Sequence, residues 1–349
     1  MTIFKKLSPV LVILVLGMGL YFFTHQKLKI VPLRVVTWSG YFPGTIIEDF
    51  TKETGIPLEI SYISSNEELF AKIKAGSTGL DIITPSDYMV AKMTRLKMLA
   101  PLNHSVLLNI DHLDSYFKNL PYDPGLKTSI PFTRGITGLA INTDKVKIDP
   151  KNLSWAMLFQ SPDPRNTSML DDVRESFAAA LQVLGEPVNT TNPTILAKAQ
   201  VLLRASKNNI SLFTSEPVPL MLRGDITIAH AYSAHAIQAQ QENPAIKFFI
   251  PKEGGVVWTD NLAIPNTSRK IAEAHLFLNY VMDPKNALNI QRQNHLHTPN
   301  KTAQMALPEK ERNSPDLYPS DAVLKRLHFI EDIGESMLIY DRLWTELKT

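Results

Sequence analysis

The sequence predicts an α/β protein of two lobes, and three observations predict it. Short β-branched runs alternate with helical patterns from residue 33 onward, one such block is interrupted by a second, and two long extended segments, residues 135–142 and 255–265, flank the second block. Alternating strand and helix implies βαβ units on a mostly parallel sheet, with ligand loops at the carboxyl ends of the strands. A chain that crosses between blocks more than once places a hinge at the crossings.

Taken in order, Lys5 and Lys6 precede residues 7–26, which carry no Asp, Glu, Lys or Arg and are dominated by Leu, Val, Ile, Met and Phe. This is a basic n-region followed by an apolar export segment. Its length lies between the about 7–15 residues of a signal h-region and the about 20 of a membrane span, so residues 1–26 are expected to be either a cleaved signal peptide or an N-terminal membrane anchor. The leading positive charge puts the bulk of the chain on the far side of the membrane. The sequence has no cysteine, which excludes lipoprotein attachment, disulfides, thiolate metal sites and cysteine nucleophiles.

Beyond this segment about 320 residues remain, more than one core usually serves. The expected division is residues 33–138 with 261–300 in one lobe and 139–260 with 301–349 in the other. With Lys5 and Lys6 set aside, 34 basic residues face 34 acidic ones. That balance argues against a nucleic-acid surface. A hydrophobic content of 44% with 24 prolines describes an ordinary folded body.

Residues 33–38 read as a strand, 45–54 as a helix stopped by Gly55, 58–63 as a second strand, 67–75 as a helix and 80–84 as a short strand. Two loops follow strand ends, residues 37–41 and 85–88. In the second block Asp172 stands at the N-cap of a helix expected over 173–184, with Glu175 three residues on and on the same face, before Gly185 ends the apolar spacing of Phe177, Ala178, Leu181 and Leu184. Residues 226–232 form a strand ending in Tyr232, and Trp258 with Asp260 lies close to the second crossing.

Trp38-Ser39-Gly40-Tyr41, residues 50–56, Ser65-Asn66-Glu67, Pro85-Ser86-Asp87-Tyr88, Asp171-Asp172-Val173-Arg174-Glu175, residues 251–260 and Tyr318-Pro319 together resemble the bacterial spermidine/putrescine-binding proteins of ABC-type polyamine uptake, in order and at similar spacing to the C-terminus. The resemblance implies a type II periplasmic-binding-protein fold with its ligand cleft between the lobes. It implies a periplasmic, non-enzymatic receptor without cofactor or metal, with ABC permease subunits as partners and a monomer as the working form. The contacts it carries over are Trp38, Ser39 and Tyr41 from the first loop and Ser86 with Tyr88 from the loop after the third strand. The second block contributes Asp172, Glu175 and Tyr232, the last where spermidine binders commonly have Trp, and the crossing contributes Trp258 and Asp260. Ile330 stands where spermidine binders supply a Gln amide, and Ser39 in place of a frequent Thr favours putrescine.

The chemistry agrees. A polyamine is a string of ammonium groups joined by methylenes, so its site needs carboxylates at intervals and aromatic faces between them. Trp38, Tyr41, Tyr88, Tyr232 and Trp258 are expected as walls, Asp172, Glu175 and Asp260 as charge, and Ser39 and Ser86 as neutral acceptors. Each has a structural alternative: strand-end aromatics are commonly core, Asp172 with Glu175 fits a capping box, Asp260 fits a turn, and Ser86 with Asp87 fits a helix cap. His295-Leu296-His297 puts two imidazoles on one face of an expected strand, and His230 and His235 are five apart, but neither pair has a carboxylate companion at metal-ligand spacing. Glu253-Gly254-Gly255 reads as a turn. No Walker loop, nucleophile elbow or His-Glu-x-x-His helix is present. Two further readings stand beside the polyamine receptor: a receptor for another small cationic metabolite, and a membrane-tethered sensor without a transport role.

Overall fold

In the computed structural model, residues 31–76, 79–149, 152–160, 166–295, 297–314 and 317–349 are described, so the expected leader at 1–26 lies outside them. The chain begins with β1 (Leu33–Trp38), α1 (Gly44–Thr54), β2 (Leu58–Ile63), α2 (Asn66–Lys74), the two-residue β3 (Ile82–Ile83) and α3 (Asp87–Arg95). Gly55 ends α1 in the left-handed conformation, φ 72°, with its N–H on the Thr51 carbonyl, as the glycine in the sequence predicts. The 14-residue β4 (Ser129–Asn142), buried along its whole length, then leads into the second block.

That block contains α4 (Ala156–Phe159), β5 (Thr167–Met169), α5 (Val173–Val183), α6 (Pro193–Ala205), β6 (Ile210–Phe213), α7 (Val218–Arg223), β7 (Ile228–Tyr232), α8 (Ser233–Glu242) and β8 (Ile246–Phe249). After β9 (Val256–Ala263) follow α9 (Ile271–Met282), α10 (Pro284–Asn294), α11 (Lys301–Met305), α12 (Glu309–Arg312), α13 (Asp321–Leu324) and α14 (Met337–Lys348).

The strands make one sheet in the order β2-β1-β3-β9-β4-β7-β5-β6, with β8 also on β4. β1 runs parallel to β2 and β3, and β5 parallel to β6 and β7, while β4 and β9 are antiparallel to each other and splice the two parallel sets together. β4 starts six residues earlier than the extended segment the sequence suggests. The prolines at 121, 124 and 131 obscure that start, and the register shift between Pro131 and Thr133 accommodates a residue with no N–H to donate.

Apolar clusters cover both faces of both halves. Phe50 and Phe277 pack edge to face at 5.1 Å on one side of the first half, and Met89 and Val90 pack on the other. Phe177 and Tyr340 close one side of the second half, and Met221 with Ala236 the other. Burying each large side chain contributes on the order of 2 kcal/mol, enough in sum to fix the sheet as a platform for its loops. Among the described residues no helix is long and apolar enough to cross a membrane.

One local expectation is corrected. His295 is not on a strand: its N–H bonds to the Gln291 carbonyl and it closes α10 with φ 53°, a left-handed cap filled by a residue other than glycine, so it does not share a strand face with His297. His297 is buried against Tyr318 and Phe117. His230 and His235 also part company, His230 lying in the core against Trp155, with ring centroids 4.8 Å apart.

Candidate functional site

A cavity of about 290 Å³ opens where the carboxyl ends of six parallel strands meet, and all ten residues carried over from the sequence line it. Trp38, Ser39 and Tyr41 come from the loop after β1, Ser86 and Tyr88 from the start of α3, Asp172 and Glu175 from the start of α5, Tyr232 from the end of β7, and Trp258 and Asp260 from β9.

The aromatic walls are held by their own contacts. Trp38 Nε1 donates to the Thr84 carbonyl at 3.0 Å, which fixes the indole over the end of β3. Tyr88 donates its hydroxyl to Glu67 Oε1 at 3.1 Å. Trp258 and Tyr232 meet edge to face with centroids 5.6 Å apart. The Trp258 ring lies directly on Gly135: a Cβ there would come within 2.1 Å of it, so the site requires a residue without one.

The acids have different surroundings. Asp260, 3% exposed, accepts hydrogen bonds from Ser86 Oγ at 2.6 Å and from the Tyr41 hydroxyl. Burial pushes its carboxyl up to about 6, against the lowering effect of those two donors. Ser86 is the N-cap of α3 through its backbone only: its hydroxyl goes to Asp260 and accepts from Asn66 Nδ2 at 3.0 Å, so the capping role the sequence allows for its side chain is not the one it plays.

Asp172 does cap α5, accepting the Glu175 N–H at 3.0 Å, but the reciprocal half of a capping box is missing. Glu175 instead accepts from Thr137 Oγ1 at 3.0 Å with one oxygen and leaves the other, Oε2, buried without a partner. Burial first, and the Asp172 charge second, hold the Glu175 carboxyl well above its usual range. A buried carboxylate oxygen of this kind costs free energy that a cation in the cavity would recover.

Several lining residues were not singled out from the sequence. Asp87 accepts the N–H groups of Tyr88 at 2.8 Å and Thr259 at 3.1 Å, and burial pushes it up to about 8. Arg174 is locked away from the cavity centre, donating to the Glu331 carbonyl at 3.0 Å and Asn189 Oδ1 at 2.7 Å, with its guanidinium 5.1 Å from the Tyr340 ring centre. His235, Glu216 and Asn66 complete much of the remainder. Asp87, Arg174 and Asn66 stand inside the motifs that carry the resemblance, which is the signal that could have found them. The wall thus presents five carboxyl side chains and one guanidinium, and a cation among them would favour the ionised form of carboxyls that burial holds toward the neutral one.

Outside the lining, Arg95 at the end of α3 donates to Asp332 Oδ2 from Nη2 at 2.7 Å and from Nε at 3.1 Å. Asp332 belongs to a segment tied to the second half through Asn189 and Arg174, so this ion pair links the two halves. Among the described residues no group of three or more His, Cys, Asp or Glu could hold a metal ion.

A cavity at facing strand ends, in two α/β halves joined by paired crossing strands, defines a ligand-binding protein of the two-lobe, type II periplasmic-binding-protein fold. The chain belongs to the bacterial extracellular solute-binding protein family, whose signature matches residues 45–315. It is 36% identical over 315 residues to spermidine/putrescine-binding periplasmic protein 1 of Haemophilus influenzae, covering 89% of this chain and 87% of that one. A solved structure from Listeria monocytogenes superposes with a TM-score of 0.87 at 31% identity, over 91% of this chain and 99% of the other. The spermidine/putrescine ABC transporter substrate-binding protein PotD of Streptococcus pneumoniae superposes with 0.77 at 30% identity, over 91% and 98%.

Proposed function

We propose that the protein captures a linear polyamine, putrescine or spermidine, in the aromatic and acidic cleft and delivers it to an ABC-type permease, acting as a receptor and not as an enzyme. The observation that carries this reading is the lining itself, in which the carboxyl groups of Asp172, Glu175 and Asp260 stand among five aromatic side chains suited to methylenes. The names of its relatives in Haemophilus influenzae and Streptococcus pneumoniae support it. The ten lining residues carried over from the sequence are its ligand contacts. Ile330, buried in the wall, offers a third ammonium no acceptor, which favours putrescine.

The working form is a monomer in the periplasm, reached through the N-terminal segment at 1–26. The lobes are residues 33–138 with 261–300 and residues 139–260 with the C-terminal part. Thr302 and Lys301, which contact His112 and Asp114, argue for moving α11 into the first of them. Titration calorimetry of the purified protein with putrescine, cadaverine, spermidine, spermine and arginine tests the reading. Saturable binding of a linear amine, lost in Asp172→Asn or Asp260→Asn, is the expected result; no heat with any linear amine, on folded and ligand-free protein, refutes it.

A further inference from the structure

Glu216 stands in the loop between β6 and α7, an exposed residue of the cavity lining. The loop is held by its backbone: the Thr214 N–H donates to the Met169 carbonyl at the end of β5 at 2.9 Å, the Glu216 N–H donates to Thr214 Oγ1 at 3.0 Å, and Pro217 follows. Among the described residues no hydrogen bond or ion pair takes the Glu216 carboxylate. Partial burial holds this carboxyl above its ordinary value, and a cation beside it would favour the ionised form. The strand order gives its place in the cavity. Asp260 is on β9, Asp172 and Glu175 follow β5 three strands further along the sheet, and Glu216 follows β6, the next and outermost strand. Neighbouring strands lie about 4.8 Å apart, so carboxyls are laid out from the crossing to the sheet edge at intervals that a chain of ammonium groups and methylenes can follow. The other edge strand, β2, brings Ser64, whose hydroxyl donates to Glu68 Oε2 at 2.8 Å, so among the lining residues Glu216 alone brings a carboxyl to an edge of the sheet.

We propose that Glu216 receives the extra ammonium group of an amine longer than putrescine, and so admits spermidine as a second ligand of the same cavity. This rests on the polyamine reading and deepens it. Ile330 gives a third ammonium no acceptor inside the wall, so that group has to find one at the rim. Asp260 and the Asp172–Glu175 pair remain for the two ammonium groups that putrescine also carries. Because Glu216 is exposed, its attraction is that of a surface charge, small and weakened by salt, and putrescine stays the preferred ligand.

The test is titration calorimetry of the purified protein and its E216Q variant with putrescine and with spermidine, each at low and at raised salt. The expected result is about fivefold weaker binding of spermidine by E216Q, with putrescine within about twofold of the wild type and the spermidine loss shrinking as salt is raised. Equal losses for the two amines, a larger loss for putrescine, no loss for either, or a spermidine loss that salt leaves unchanged overturns the role of Glu216 and leaves the polyamine reading in place. So does a wild-type protein that binds putrescine and not spermidine. Failure of the folded wild-type protein to bind any linear amine overturns both.

Discussion

Replacing Asp260 by Asn removes the one site carboxylate whose two oxygens both have hydroxyl donors, and the structure sets the size of the effect. The carboxyl is ordinarily near 3.8 and is pushed up to about 6 in the fold. A raised folded-state value means that the native protein holds the proton more tightly than the unfolded chain. The stabilisation is therefore fully present below about pH 4 and is lost as pH rises through 6, amounting to about 3 kcal/mol for about two units. The amide introduced by D260N cannot titrate, and the Tyr41 and Ser86 hydroxyls can rotate to meet it. Urea unfolding of ligand-free protein between pH 4 and pH 7.5 should show the loss of stability with rising pH reduced by about 3 kcal/mol in D260N. A variant that loses stability with pH as steeply as the wild type refutes the assignment. Ligand addition gives a cross-check, because a cation beside Asp260 must lower its pKa: wild-type calorimetry at pH 6 in two buffers of different ionisation heat should report proton release.

Glu175→Gln should weaken amine binding by roughly 10- to 100-fold, the worth of a charge-assisted hydrogen bond, without lowering ligand-free stability, as read by calorimetry and urea unfolding. Gly135→Ala should lift the Trp258 ring from its seat and cost roughly 1–3 kcal/mol, with the loss of a ligand-dependent change in tryptophan fluorescence as its readout. Arg95→Ala should loosen the link between the two halves, measured as a larger radius of gyration in solution scattering without ligand. Because an exposed ion pair is worth no more than about 1 kcal/mol, the accompanying loss of affinity should stay within about fivefold.

The parts of this architecture that depend on near neighbours in the chain could be read from the sequence. Gly55 closing α1 and Asp172 opening α5 are settled within one turn of helix, and the strand-end aromatics needed only the alternation of elements to locate them. What could not be read depends on distant partners. Ser86 looks like a capping residue until Asp260, 174 positions later, takes its hydroxyl. Asp87 looks like its companion until the Thr259 N–H arrives from β9. The His-Leu-His alternation at 295–297 imitates a strand because an αL cap without glycine leaves no trace in the sequence, and its identity rests on one backbone bond to Gln291. The two-residue β3 fell short of its five-residue expectation because only Ile82 and Ile83 find a ladder on β1.

The splice made by β4 and β9 has a consequence for how the molecule can be divided. From Ser129 to Thr137 β4 pairs with β9, and from Thr137 to Asn142 the same strand pairs with β7 and β8, while β9 reaches β3 through Ala263. Each half of the sheet is therefore completed by strands that the other half also uses. A gene fragment encoding either half would carry an unfinished sheet edge, and any movement of one half against the other would bend a shared ribbon without parting two self-sufficient bodies. A single cooperative unfolding transition, and failure of separately expressed halves to fold, is what this sharing of strands entails.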